Sequence, residues 1–209
     1  MFNPPQFQEN RLQILQDILS RAGLMTLVTL GIDGPEANHL PMLLDPAEGD
    51  KGTLYGHLSR ANPLWRSPGG PALAIALGPD AYITPSWYKT KQTTGRVVPT
   101  WNYVAVHASG PLSFFDDTPS LLTVVRKLTE RHEAGRPSPW ALDEAPEDYR
   151  QAQLKGIVGF KMTIVQLQGK WKMSQNRSAE DQKSVLEGLQ SEGRTDMAEI
   201  LVNFRQDTL

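Results

Sequence analysis

Apolar positions along this chain fall mostly into runs of strand length, set off by turn residues, with helical spacing confined to a few segments. Residues Glu9 to Ala22 place Leu12, Ile14, Leu15, Ile18 and Leu19 on one face before Gly23, which predicts an amphipathic first helix. Strand-like runs follow at Leu24 to Leu30, Asn38 to Leu44 and Thr53 to Leu58, separated by Gly31-Ile32-Asp33-Gly34-Pro35 and by Asp45 to Gly52. A short turn or helix is expected around Asn62 to Arg66. Two further strands, Pro71 to Leu77 and Ala81 to Thr84, flank a Gly78-Pro79-Asp80 turn.

Lys89 to Val98 has little apolar content and reads as an exposed loop. Trp101 to Phe115 resumes β character. Thr118 to Ala134 sets Leu121, Leu122, Val125 and Leu128 at helical spacing behind an Asp117 cap and Pro119. A loop with Pro137, Pro139 and Trp140 precedes Ile157 to Leu167, the last clear strand. Ser178 to Leu189 and Thr195 to Phe204 predict two closing helices. Strands at hairpin spacing without βαβ alternation predict a mainly β, α+β architecture: a closed or nearly closed antiparallel barrel with peripheral helices.

The 209 residues suit one domain, residues 1–209, and no repeat or composition break marks a second. With 39% hydrophobic and 21% charged residues the chain has the composition of a folded protein. A formal net charge of -2 provides no global attraction to nucleic acid or an anionic membrane, so DNA contact would need a local basic patch. Zero cysteines excludes disulfides, thiolate metal sites and a cysteine nucleophile. Met1 to Phe7 lacks the pattern of a secretory signal and no apolar run reaches membrane-spanning length, so a cytoplasmic location is expected.

Several chemistries lack sequence support. The chain has no Walker loop, no strand-borne G-x-G-x-x-G and no G-x-S-x-G elbow. His39, His57, His107 and His132 have no metal-ligand spacing, so no metal site is expected. Three clusters remain. Gly56-His57-Leu58-Ser59-Arg60-Ala61-Asn62-Pro63 ends a strand with a hydroxyl, a guanidinium and an amide, the donors a phosphate monoester requires. Tyr82 to Tyr88 and Val97 to Tyr103 carry aromatic pairs able to wall a heteroaromatic ring. Gly169 to Arg177 passes from apolar to polar just before a helix. Each also has a structural reading: a capped turn, core aromatics, and a solvated loop.

Taken together, HLPMLLD at 39–45, GHLSRANP at 56–63, ITPSWY at 83–88, VVPTWNY at 97–103 and GKWKMSQNR at 169–177 resemble the PaiB family, described as FMN-binding negative transcriptional regulators. The resemblance spans nearly the whole chain. It implies a flavoprotein with an antiparallel six-stranded split β-barrel of FMN-binding type, similar to pyridoxamine phosphate oxidase. It further implies a homodimer with its flavin site at the subunit interface. Ser59, Arg60 and Asn62 become candidates for the flavin phosphate, and His57, Trp87, Trp101 and Tyr103 for the walls of the groove. Ser174, Gln175 and Asn176 become candidates for the ring edge or ribityl chain, and Lys170 or Lys172 for charge near the phosphate. Lys89, Lys91 and Arg96 are a second cationic option. Two other activities fit such a barrel: a flavin-dependent oxidoreductase, and haem binding or degradation through His57, His107 or His132. DNA stays open as a partner, although no helix-turn-helix with a basic recognition helix is visible.

Overall fold

The structure, a computed structural model, describes the backbone of residues 1–206 and the side chains of residues 1–202. Its elements run β1 (Gln8–Glu9), α1 (Leu12–Arg21), β2 (Leu24–Gly31), β3 (Gly34–Asp45), β4 (Thr53–Ser59), β5 (Gly70–Ile83), α2 (Lys89–Thr94) and β6 (Thr100–Phe115). Then come α3 (Thr118–Glu133), α4 (Glu147–Lys155), β7 (Ile157–Thr163), β8 (Gln166–Lys172), α5 (Ala179–Ser191) and α6 (Thr195–Gln206). The chain divides into two compact units: one comprises Arg11–Ala76 and Val106–Leu167, the other the first ten residues, Leu77–Ala105 and the chain from Gln168 onward.

Six strands in the order β6-β5-β2-β3-β4-β7 form a ring, because β6 also pairs with β7, while β8 and β1 extend from β6. Closure reduces the free edge these strands present. In the first unit, β2 pairs antiparallel with β3 from Leu24↔Pro41 to Gly31↔Gly34, and β4 pairs with β7 along its whole length. Period-2 alternation sends Leu54 and Leu58 of β4 and Val158, Phe160 and Met162 of β7 into the core. Two cross-strand pairs set a glycine beneath an aromatic ring, Gly56↔Phe160 and Phe115↔Gly159. A Cβ on Gly56 would lie 2.5 Å from Phe160 Cζ, so the ring needs that bare backbone. Leu15 and Leu19 of α1 and Leu121, Val124 and Leu128 of α3 are buried. Arg131 of α3 donates to the carbonyls of Met42 at 2.8 Å and Ala22 at 2.7 Å, which satisfies its guanidinium where burial lowers its pKa.

In the second unit, Val185 and Leu189 of α5 and Met197 and Leu201 of α6 are buried, as are Ala81, Ile83, Tyr88, Val104, Trp171 and Met173. Trp87 lies against Gly188 of α5, where a Cβ would meet the indole Cδ2 at 2.3 Å. Asp181 of α5, 2% exposed, accepts from the amide of Thr90 at 2.9 Å and its hydroxyl at 2.7 Å, anchoring the start of α2.

Four sequence expectations change. The first helix begins at Leu12, since Gln8–Glu9 pairs with β8 through Gln8↔Lys170 and Glu9↔Gly169. Gly78-Pro79-Asp80 does not turn the chain: Gly70–Ile83 is one strand, and Gly78 marks a close approach to Val104, whose Cβ would stand 2.9 Å from an added one. The expected loop at Lys89 is a helix through Thr94, closed by Gly95 at φ 66 and anchored by Asp181. Finally, Ile157 to Leu167 is not the last strand, because β8 follows after two residues.

Candidate functional site

The strand-end cluster lies in the first unit and is knitted into the backbone around it. Arg60 leaves β4 with its amide bound to the carbonyl of Gly156 at 2.8 Å. Its Nε donates to the carbonyl of Lys155 at 2.9 Å and one terminal nitrogen to that of Ile157 at 3.1 Å. Asp116 accepts from it at 3.4 Å, and the indole of Trp65 lies 5.5 Å below the guanidinium carbon. Arg60 thus ties β4 to the corner between α4 and β7, and Asp116 balances part of its charge. Asn62 is also engaged: its Oδ1 accepts from the Leu64 amide at 2.9 Å and its Nδ2 donates to Asn38 Oδ1 at 2.7 Å. The Ser59 hydroxyl is exposed and accepts from the Ala61 amide at 3.3 Å, with its own proton left to donate. His57 Nδ1 is buried without a hydrogen-bond partner, and burial lowers the imidazole pKa.

The other sequence-derived residues belong to the second unit. Lys172 Nζ donates to Thr100 Oγ1 and to the carbonyl of Trp101 at 2.8 Å. Burial, then the charges of Lys170 and Arg177, hold its pKa below the ordinary lysine value. Lys170, 9% exposed, donates to the carbonyl of Phe2 at 3.0 Å and lies 5.3 Å from the ring centroid of Tyr103. Arg177 covers the ring of Tyr88 at 4.7 Å. Lys170 and Arg177 thus lie close enough to act on Lys172, which sits against Trp101, and exposed Trp101 packs edge to face on exposed Tyr82 at 5.9 Å.

The polar run after β8 is largely internal. Ser174 has the left-handed φ of 60, and its hydroxyl donates to Asn102 Oδ1 at 3.0 Å. Gln175 bridges the Met173 amide at 2.7 Å and the Trp171 carbonyl at 2.6 Å, while Asn176 is exposed. Trp87 packs on Gly188, away from the role of a bare wall. Lys89, Lys91 and Arg96 are exposed, with Lys91 donating to Ser86 Oγ at 3.2 Å. Asn102, Tyr82 and Arg177 lie within the sequence clusters but are not among the site residues the sequence analysis selected. Asn102 carries a legible signal, an amide at an inward position between Trp101 and Tyr103, and its Nδ2 is buried without a partner.

This donor set fits a phosphorylated flavin. Within the second unit, Lys170, Lys172 and Arg177 offer cations suited to a dianionic phosphate, and Trp101 and Tyr82 offer exposed aromatic surface suited to the ring. Among the described residues, no group of three histidine or carboxylate side chains could hold a metal, and no helix is long and apolar enough to cross a membrane.

The ring of six antiparallel strands defines a split β-barrel. The fold resembles that of the FAD and haem binding protein from Mycobacterium smegmatis, with a TM-score of 0.60 at 18% identity over 85% of this chain and 78% of that one. The chain belongs to the PaiB family of FMN-binding proteins: the family described as "Putative FMN-binding domain" matches residues 1–166, and FMN is its cofactor. It is 34% identical over 196 residues to the Protease synthase and sporulation protein PAI 2 of Bacillus subtilis (strain 168), covering 92% of this chain and 90% of the relative. An uncharacterised protein of Aspergillus fumigatus is 33% identical over 238 residues, covering 88% and 89%.

Proposed function

We propose that this protein is a cytoplasmic homodimer that holds FMN at its subunit interface and acts as a PaiB-like negative transcriptional regulator. Flavin occupancy or redox state would set the dimer geometry and so its grip on DNA or another partner. The observation that carries the reading is near full-length similarity to a protein named for protease synthase and sporulation rather than for a reaction. Dimerisation is supported by the tip of the β2–β3 hairpin, where Leu30 and Ile32 are 79% and 104% exposed. A second copy would cover such a patch.

In this reading Ser59, Arg60 and Asn62 serve the phosphate directly or shape its turn, with Lys170 and Lys172 adding charge. His57, Trp101 and Tyr103 line the groove and Trp87 buttresses it. Ser174, Gln175 and Asn176 define the segment facing the ring edge or ribityl chain. Bound flavin would supply one- or two-electron transfer. The test is retention of the protein's own upstream DNA across a salt series, with the flavin oxidised and then reduced. A redox-dependent shift supports regulation; no retention in either state removes the direct form of it.

A flavin-dependent oxidoreductase is the second reading, and the depressed ammonium of Lys172 favours it, since such a group gives up a proton more readily than a solvated lysine. Steady turnover with NADH or NADPH and an acceptor, without DNA retention, would select it.

A further inference from the structure

A second cleft lies in the first unit, on the outer face of the β3-β4-β7 sheet beneath α3, with a volume of about 460 Å³. Its floor is a cross-strand row. Leu43 of β3 pairs with Tyr55 of β4, and Tyr55 pairs with Lys161 of β7, so all three side chains leave the same face. Phe115 and Asp45 extend that floor at its ends. The roof is one helical stripe: Ser120, Thr123, Val124 and Lys127 recur at the i, i+3, i+4, i+7 spacing that puts residues on one face.

The charges in this cleft are unequally satisfied. Lys127 and Lys161 are exposed and make no ion pair or hydrogen bond among the described residues. At the β3–β4 turn, by contrast, Tyr55 donates its hydroxyl to Glu48 at 2.5 Å, and Asp45 accepts from the Ala47 amide at 3.1 Å. Burial and Glu48 together push the Tyr55 phenol up to about 12, so it stays a neutral donor that holds Glu48 in place. The cleft thus offers two unpaired cations, two fixed carboxylates and an apolar middle from Leu43, Phe115 and Val124. The volume falls within the roughly 300–1,000 Å³ of small-molecule sites.

We propose that this cleft binds a small zwitterion with an apolar body, of the amino-acid or dipeptide class, its carboxylate on Lys127 and Lys161 and its ammonium on Glu48 and Asp45. None of these residues belongs to the flavin clusters, so the site would be an effector pocket of its own. A ligand held between α3 and the sheet would stabilise their packing, which links occupancy to the barrel wall.

The test is calorimetric titration of FMN-saturated protein with the dipeptide Leu-Leu, with 4-methylpentanoate and isoamylamine as singly charged controls. Saturable binding of Leu-Leu is expected, with either control weaker by about tenfold or more, the loss of one charge-assisted hydrogen-bond set. Lys127→Met and Lys161→Met should each weaken Leu-Leu by a similar factor, with the flavin absorbance spectrum and thermal midpoint of the unliganded protein unchanged. Tyr55→Phe should weaken it less, since it removes only the hydroxyl that positions Glu48 and leaves both carboxylates and both lysines in the cleft. No saturable binding of Leu-Leu, equal binding of the controls, or binding indifferent to both lysine substitutions would overturn the proposal.

Discussion

Ser174 donates its hydroxyl to Asn102 Oδ1 at 3.0 Å from a left-handed backbone, the one non-glycine residue with positive φ among those described. The turn after β8 therefore stores strain that a buried side-chain contact offsets. Ser174→Ala removes the contact, keeps the strain and leaves Asn102 wholly unpaired, so unfolding should become easier by about 1–3 kcal/mol. Ser174→Gly relieves the backbone and should cost less. Urea unfolding of both variants checks the order; an equal loss would show that the backbone angle contributes nothing.

Trp87 against Gly188 gives a second test in the same unit. Gly188→Ala puts a methyl 2.3 Å from indole Cδ2, so overpacking should cost about 1–3 kcal/mol. Trp87→Leu opens the space, and the double variant should be more stable than the sum of the two losses indicates. Strict additivity in denaturant midpoints would contradict the contact.

Burial holds the imidazoles of His57 and His107 below the ordinary value of 6.5. The unfolded chain then binds protons at a higher pH than the folded one. Stability should be full above that ordinary value and decline as pH falls through the folded values. Unfolding free energies measured at about pH 7.5 and about pH 5.5 should differ in that direction, and His57→Asn should flatten the slope. A slope unchanged by the substitution would assign the dependence to other groups.

Most of the barrel was legible because its strands alternate cleanly and its turns carry glycine and proline. β6 is an example: Thr100–Phe115 departs by one residue from the expected run. What failed to show was structure fixed by distant partners. α2 is only six residues of polar sequence, and its start depends on Asp181 some 91 positions away. α4 has few apolar residues, with Leu154 alone buried, and so gave no helical stripe. The candidate site was legible as residue types, since GHLSRANP and GKWKMSQNR do hold concentrated donors. Sequence could not show that Arg60 is bound to three backbone or carboxylate partners, or that Asn102 is left with a free amide.

Arg60 accordingly separates two roles. Arg60→Ala should destabilise the flavin-free protein by about 1–3 kcal/mol through its lost hydrogen bonds. If Arg60 also meets the phosphate, FMN affinity should fall further than riboflavin affinity, because only FMN carries that charge. Equal losses would confine Arg60 to the corner between α4 and β7 and leave the phosphate to Lys170, Lys172 and Arg177 or to the exposed Lys89, Lys91 and Arg96.

The central claim is that this chain holds FMN by its phosphate as well as its ring. Parallel fluorescence titrations of the flavin-free protein with FMN and with riboflavin test it most directly. FMN should saturate at one per chain and bind at least about tenfold more tightly than riboflavin, the equivalent of a charge-assisted contact of about 1.5–3 kcal/mol. No saturation with FMN, or equal affinity for the two flavins, would contradict it.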